Sequence, residues 1–107
     1  RPMTELVIYA RGSESPWYGD KAVGNVIEAA AVHAFEREHA SEKPLEVIRP
    51  LIENSSAIGD VVLDTFAGSA STLITAKAMG RRAIGIEIEP RYCEIAVKRL
   101  RQEVLPL

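Results

Sequence analysis

At 107 residues, with 47% hydrophobic and 26% charged side chains, the chain has material for one small domain with a modest core and too little for two catalytic domains. No apolar run nears the roughly 18 residues that a membrane-spanning helix needs, so a water-soluble chain without a membrane partner is expected. A formal charge of -2 supplies no general attraction to phosphate backbones, and the single cysteine, Cys93, excludes an internal disulfide and a multi-cysteine zinc cage.

Cysteine usage and the absence of a signal-peptide pattern predict a reducing, cytoplasmic compartment. The chain opens on Arg1 instead of methionine, which predicts processing or excision from a longer protein. In chain order, residues 6–10 (LVIYA) form a β-branched and aromatic run that reads as a strand ending at Arg11-Gly12. The polar, turn-rich stretch that follows offers Trp17 and Tyr18 as packing anchors. Residues 22–28 (AVGNVIE) read as a second short strand, antiparallel to the first. Residues 29–38 combine helix-favouring alanines with dense charge and no apolar stripe, and read as a connector. Residues 1–38 are therefore expected to be a strand pair and connector, and 39–107 a helix-strand-helix-strand-helix unit.

Within that unit, Leu45, Ile48, Leu51 and Ile52 share one helical face and Pro44 suits the first turn, but Pro50 lacks the N–H that would bond the Glu46 carbonyl and should bend or break the helix. After the turn SSAIGD, residues 61–63 predict a buried strand, 71–79 a helix stopped by Gly80, and AIGIEI a second buried strand. Glu89-Pro90 then opens a helix with Tyr92, Ile95, Ala96 and Leu100 inward and Arg91, Glu94, Lys98 and Arg101 in water. Apolar strands alternating with amphipathic helices on short connections predict an α/β domain with parallel strands, part of a Rossmann-like sheet.

The stretch VVLDTFAGSASTLITAKAMG places an acid, an aromatic ring and a glycine-containing turn where a strand becomes a helix. In a doubly wound sheet the ligand lies beyond the carboxyl ends of the strands. Gly68 lets the backbone approach it, and Glu87, 19 positions later, stands where ribose hydroxyls are bound. Neither G-x-G-x-x-G nor G-x-x-x-x-G-K-[ST] is present, so a nucleoside without a polyphosphate fits better than a dinucleotide. Taken singly, Asp64 reads as a turn cap, Gly68 as a turn residue and Glu87 as a solvated strand end. Their order along the chain favours the ligand.

From His39 to Leu100 the sequence resembles the permuted bacterial and phage DNA amino-methyltransferases, which modify adenine N6 or cytosine N4 and include restriction-modification enzymes. The match to their H-P-x-x-K-P, D-P-F-x-G-S-G-T-T and G-I-E patterns is carried by His39, Lys43, Pro44, Asp64, Phe66, Gly68, Ser69, Thr72, Gly85, Ile86 and Glu87. The resemblance implies an S-adenosylmethionine-dependent methyltransferase fold and DNA as the partner of the parent enzyme. It implies a cofactor carboxylate at the Lys43-Pro44 helix start with His39 nearby, and Phe66 walling the adenosine pocket. Glu87 would take the ribose hydroxyls, Asp64 would order the loop or face the cofactor amine, and Ser41, Ser69 and Ser71 would add hydrogen bonds.

Ala40, Thr65 and Ala70 depart from the pattern. Ala70 replaces the second loop glycine; if that position needs φ > 0, an alanine there carries about 1 kcal/mol of strain and narrows the pocket. The family's [DNS]-P-P-[YFW] motif, whose ring stacks on a flipped base, is absent; Ser15-Pro16-Trp17 is the nearest string and reads better as packing. The resemblance thus implies the cofactor-binding part of such an enzyme, with no catalytic residue of its own. The competing readings are a degenerate non-catalytic module, an interaction subunit that completes a partner's active site, and an unrelated nucleotide-binding α/β protein. A sheet edge left without its other half predicts self-association. Cys93 reads as core filler, His33 and His39 make no metal site, and Arg81-Arg82 and Lys98-Arg99-Arg101 read as solvated faces, with a DNA-facing role as the alternative.

Overall fold

The computed structural model describes residues 6–20, 27 and 45–102. Five elements follow one another: α1 (Leu45–Ser55), β1 (Val61–Asp64), α2 (Ser71–Ala78), β2 (Arg82–Gly85) and α3 (Pro90–Gln102). β1 and β2 pair in parallel with Val61 opposite Arg82 and Asp64 opposite Gly85, so the strands end side by side. This is the alternation that the apolar pattern predicts. Among the described residues no helix is long and apolar enough to cross a membrane, and no group of three or more His, Cys, Asp or Glu side chains is placed to hold a metal ion.

The core lies on one face of the strand pair. Ile48 and Ile52 of α1 are buried against Ala76 of α2, with Val62, Met79 and Ala83 closing the cluster. A second cluster joins Ala70 and Leu73 to Ala96 of α3, flanked by Ala67, Ala83 and Leu100. α2 is thus enclosed by α1, α3 and the sheet. Its Ser71, Leu73, Ile74, Thr75 and Ala76 are all buried, which is why its sequence has no one-sided stripe. The Thr75 hydroxyl avoids a desolvation cost by donating to the Ser71 carbonyl at 2.7 Å. The strands expected to be buried are covered on one face only, because α1, α2 and α3 lie on the same side: Val61, Leu63 and Ile84 on the open face are 48%, 59% and 55% exposed, and β2 stops at Gly85 instead of running to Ile88.

α1 runs through Pro50 instead of stopping there. Burial of Ile48 and Ile52 on either side of the proline holds the helix together, and Glu46 is exposed, so water can serve the carbonyl that Pro50 leaves without a donor. α2 ends as expected at Gly80, whose φ of 82° is left-handed. The Arg81 amide then donates to the Ala76 carbonyl at 2.8 Å and the Gly80 amide to that of Lys77 at 3.1 Å, a complete Schellman stop.

Arg81 departs from the solvated reading. It is buried, and donates from Nε to the Ser56 hydroxyl at 3.0 Å, from Nη2 to the Ser56 carbonyl at 2.7 Å and from Nη1 to the Met79 carbonyl at 2.8 Å. One guanidinium thereby serves carbonyls just beyond α1 and at the end of α2, where the helix dipoles favour a cation.

The expected N-terminal strand pair needs correction in its first half. Residues 6–10 are not in a strand, and Leu6 and Ile8 are almost fully exposed. β propensity describes fitness for a pleated, half-buried surface, and among the described residues no strand pairs with this segment to provide one. The second expected strand, apart from Ile27, the connector and the expected boundary at 38/39 lie outside the described residues. The intervening turn is anchored, with the Tyr18 amide donating to the Asn54 carbonyl at 2.9 Å and Trp17 packing edge-on against Tyr9 at 5.5 Å between ring centroids.

Candidate functional site

The candidate site lies at the carboxyl ends of β1 and β2. After Asp64 the chain turns out of the strand, and Asp64 Oδ1 accepts from the Phe66 amide at 3.0 Å, the local turn that aspartate favours. The two segments remain laced beyond the strands: the Ile86 amide donates to the Asp64 carbonyl and the Ala67 amide to the Ile86 carbonyl, each at 2.9 Å. This lacing brings Gly68 to Glu87. The Gly68 amide donates to Glu87 Oε1 at 2.8 Å, and the Glu89 amide donates to Oε2 at 2.9 Å. Both carboxylate oxygens are therefore oriented by backbone amides. Phe66 stands beside this corner with 89% of its surface exposed, and Ile88 next to Glu87 is 96% exposed.

Ala70 adopts the left-handed conformation, at φ 77° and ψ 27°, at the N-cap of α2. The family's second glycine would sit there without strain; an alanine costs on the order of 1–2 kcal/mol. The residue is fully buried in the cluster with Leu73 and Ala96. Gly68 and Glu87 approach each other directly, so the alanine does not separate them.

Of the residues singled out from sequence, Asp64, Phe66, Gly68 and Glu87 converge on this corner. Ser69 and Ser71 are in the same loop, but both are buried and both face a residue that the sequence reading placed in solvent. Arg99 Nη1 lies 2.9 Å from the Ser69 carbonyl, 2.9 Å from the Ser69 hydroxyl and 3.4 Å from the Ser71 hydroxyl. Hydrogen bonds from a charged donor are worth roughly 1.5–3 kcal/mol, enough to offset the strain at Ala70. A signal for this was available, because Tyr92, Ile95, Ala96 and Arg99 follow helical spacing and place Arg99 on the inward face of α3. Cys93 is half-buried and its thiol donates to the Glu87 carbonyl at 3.3 Å, beneath the site instead of in it. His39, Ser41 and Lys43 lie outside the described residues.

A parallel strand-loop-helix-strand unit with a glycine amide on an oriented carboxylate at its strand ends defines an α/β protein of the Rossmann-like kind. Comparison with known proteins makes this specific. The family model of the N6/N4 DNA methylases matches residues 13–98, and the chain belongs to that family. It is 38% identical over 98 residues to DNA adenine methyltransferase YhdJ of Escherichia coli K12, covering 89% of this chain and 33% of the relative. It is 45% identical over 67 residues to the type II methyltransferase M.HinfI of Haemophilus influenzae, covering 63% of this chain and 19% of the relative. Among solved structures, TTHA0409 of Thermus thermophilus, complexed with S-adenosyl-L-methionine, superposes with a TM-score of 0.56 at 48% identity, over 61% of this chain and 27% of that one. The M1.HpyAVI–SAM complex superposes with a TM-score of 0.67 at 28% identity, over 78% and 43%. The chain thus spans a third or less of the curated relatives named here.

Proposed function

We propose that this chain supplies the S-adenosylmethionine-binding portion of a DNA amino-methyltransferase acting on adenine N6 or cytosine N4. One observation carries the reading: the Glu87 carboxylate is fixed by the Gly68 and Glu89 amides at the ends of two parallel strands, beside the open Phe66 ring. An oriented carboxylate accepts from a pair of ribose hydroxyls, and an exposed ring offers its face to an adenine, so the residues present fit an adenosyl group. The solved relatives TTHA0409 and M1.HpyAVI, both complexed with S-adenosylmethionine, support it. The Lys43-Pro44 helix start, with His39 nearby, is assigned the cofactor carboxylate on the motif match alone, and Ser41 a further hydrogen bond.

The cofactor, when bound, supplies an electrophilic methyl on a sulfonium, and its transfer to an exocyclic amine needs little beyond positioning. This chain's residues bind and orient. Asp64 holds the Phe66 turn, Glu87 and Gly68 hold the nucleoside, and the buried face of α2 keeps the loop in place. The chain has no [DNS]-P-P-[YFW] tetrapeptide to grip a flipped base, so we propose binding without turnover by the chain alone. DNA is the partner of the parent enzyme. The second reading, a degenerate module that no longer binds cofactor, is favoured by the strained Ala70. Calorimetric titration with S-adenosylhomocysteine separates them: micromolar binding is expected, and no binding would sink the proposal in favour of the degenerate module. Robust methyl incorporation into DNA by the chain alone would overturn the assignment of binding without turnover.

A further inference from the structure

The loop that approaches the ligand contains a residue in a conformation it does not favour, and such a residue persists only where its surroundings over-determine it. Ala70 is held on one side by its burial against Leu73 and Ala96. On the other side, the peptide group that joins Ser69 to Ala70 presents its carbonyl to Arg99 Nη1 at 2.9 Å, and the hydroxyls of Ser69 and Ser71 lie within 2.9 and 3.4 Å of the same nitrogen. Arg99 thus contacts the residues immediately before and after Ala70, from a helix some thirty positions later in the chain. The Gly68 amide that meets Glu87 is one residue upstream of Ser69. Rotation of the Ser69–Ala70 peptide would be felt at once at Gly68, because the two positions share a single tight turn, closed by the Ala70 amide donating to the Ala67 carbonyl at 2.9 Å.

We infer that Arg99 is the positioning residue of the cofactor loop: by gripping Ser69 and Ser71 it holds the left-handed turn at Ala70 and so keeps the Gly68 amide on the Glu87 carboxylate. It acts through the loop and not on the ligand. A consequence is that the docking of α3 and the shape of the nucleoside corner are coupled, since the same side chain serves both. The inference concerns the loop itself and rests on the proposed function only for the ligand that senses it.

The test uses two readouts on the 107-residue chain. Amide hydrogen exchange reads the loop without ligand, and calorimetry with S-adenosylhomocysteine reads the site. Arg99→Met keeps the aliphatic stem and removes the donors. It is expected to accelerate exchange at residues 67–71 while α1 and β1 stay protected, and to raise the dissociation constant about tenfold. Arg99→Lys, which keeps a charged donor, is expected to fall between Arg99→Met and the parent in both readouts. Parent-like protection of residues 67–71 in Arg99→Met overturns the inference, as does loss of protection spread equally through α1 and β1, which would mark Arg99 as a general packing residue. Parent-like affinity in Arg99→Met also overturns it. If the unsubstituted chain does not bind S-adenosylhomocysteine, the proposed function fails, and the exchange pattern still decides the role of Arg99.

Discussion

At Glu87 a carboxylate that looks solvent-bound on paper is held at both oxygens by backbone amides. A glutamine offers one acceptor oxygen, so Glu87→Gln must abandon either Gly68 or Glu89 and present an N–H where the proposed ribose contact needs an acceptor. We expect affinity for S-adenosylhomocysteine to fall at least tenfold by calorimetry, with the thermal midpoint lowered by only a few degrees. Ala70 sets opposing effects against each other. Replacing it with glycine relieves roughly 1–2 kcal/mol of left-handed strain, loses about 0.8 kcal/mol of buried methyl and returns roughly 0.5 kcal/mol of backbone entropy to the unfolded chain. The net for Ala70→Gly is within about 1 kcal/mol of zero in urea unfolding; a loss well beyond that would mean that packing of the methyl on Leu73 and Ala96 outweighs the strain. The residue types of the site were legible in the sequence because D-x-F-x-G and G-I-E are local strings. The conformation of Ala70 was legible only as a condition, since a dihedral depends on what surrounds it.

At the scale of elements, close approach decides stability. Gly85 ends β2 against α2, and a methyl there would strike Leu73 Cδ1 and come within 3.0 Å of Ala67 Cβ. Its φ is not positive, so the constraint is space alone. Gly85→Ala should therefore cost about 1–3 kcal/mol and loosen the loop that carries Gly68, which equilibrium unfolding and cofactor titration would both register. Arg81 ties α1 to the end of α2, and Arg81→Ala strands the Ser56 and Met79 carbonyls. We expect a loss of about 2–4 kcal/mol, read as a lower urea midpoint at an unchanged slope. Periodicity identified α1 and α3, short apolar runs identified β1 and β2, and the Gly80 stop marked the end of α2, whose enclosed sequence has no one-sided stripe. Pro50 does not break α1, because burial of Ile48 and Ile52 outweighs the lost backbone hydrogen bond, and residues 6–10 are not in a strand, since among the described residues none pairs with them.

For the molecule as a whole, the open sheet face is the uncompensated cost. Parallel sheets are ordinarily covered on both sides, yet Val61, Leu63 and Ile84 present a contiguous apolar surface. We propose that the isolated chain self-associates through this side of the sheet. Sedimentation velocity should show a concentration-dependent rise that Leu63→Lys suppresses, and a clean monomer at high concentration would refute it. The amino-acid sequence by itself determined the order of elements, the parallel alternation and the family, because periodicity, helix stops and motif strings are local properties of the chain. Only the tertiary structure decided that Arg81 turns inward, which acceptors Arg99 finds from the inward face of α3, that Ser69 and Ser71 serve the loop, and that the Gly68 amide donates to Glu87. Those outcomes depend on which distant backbone groups require a donor once water is excluded, and no local pattern encodes them.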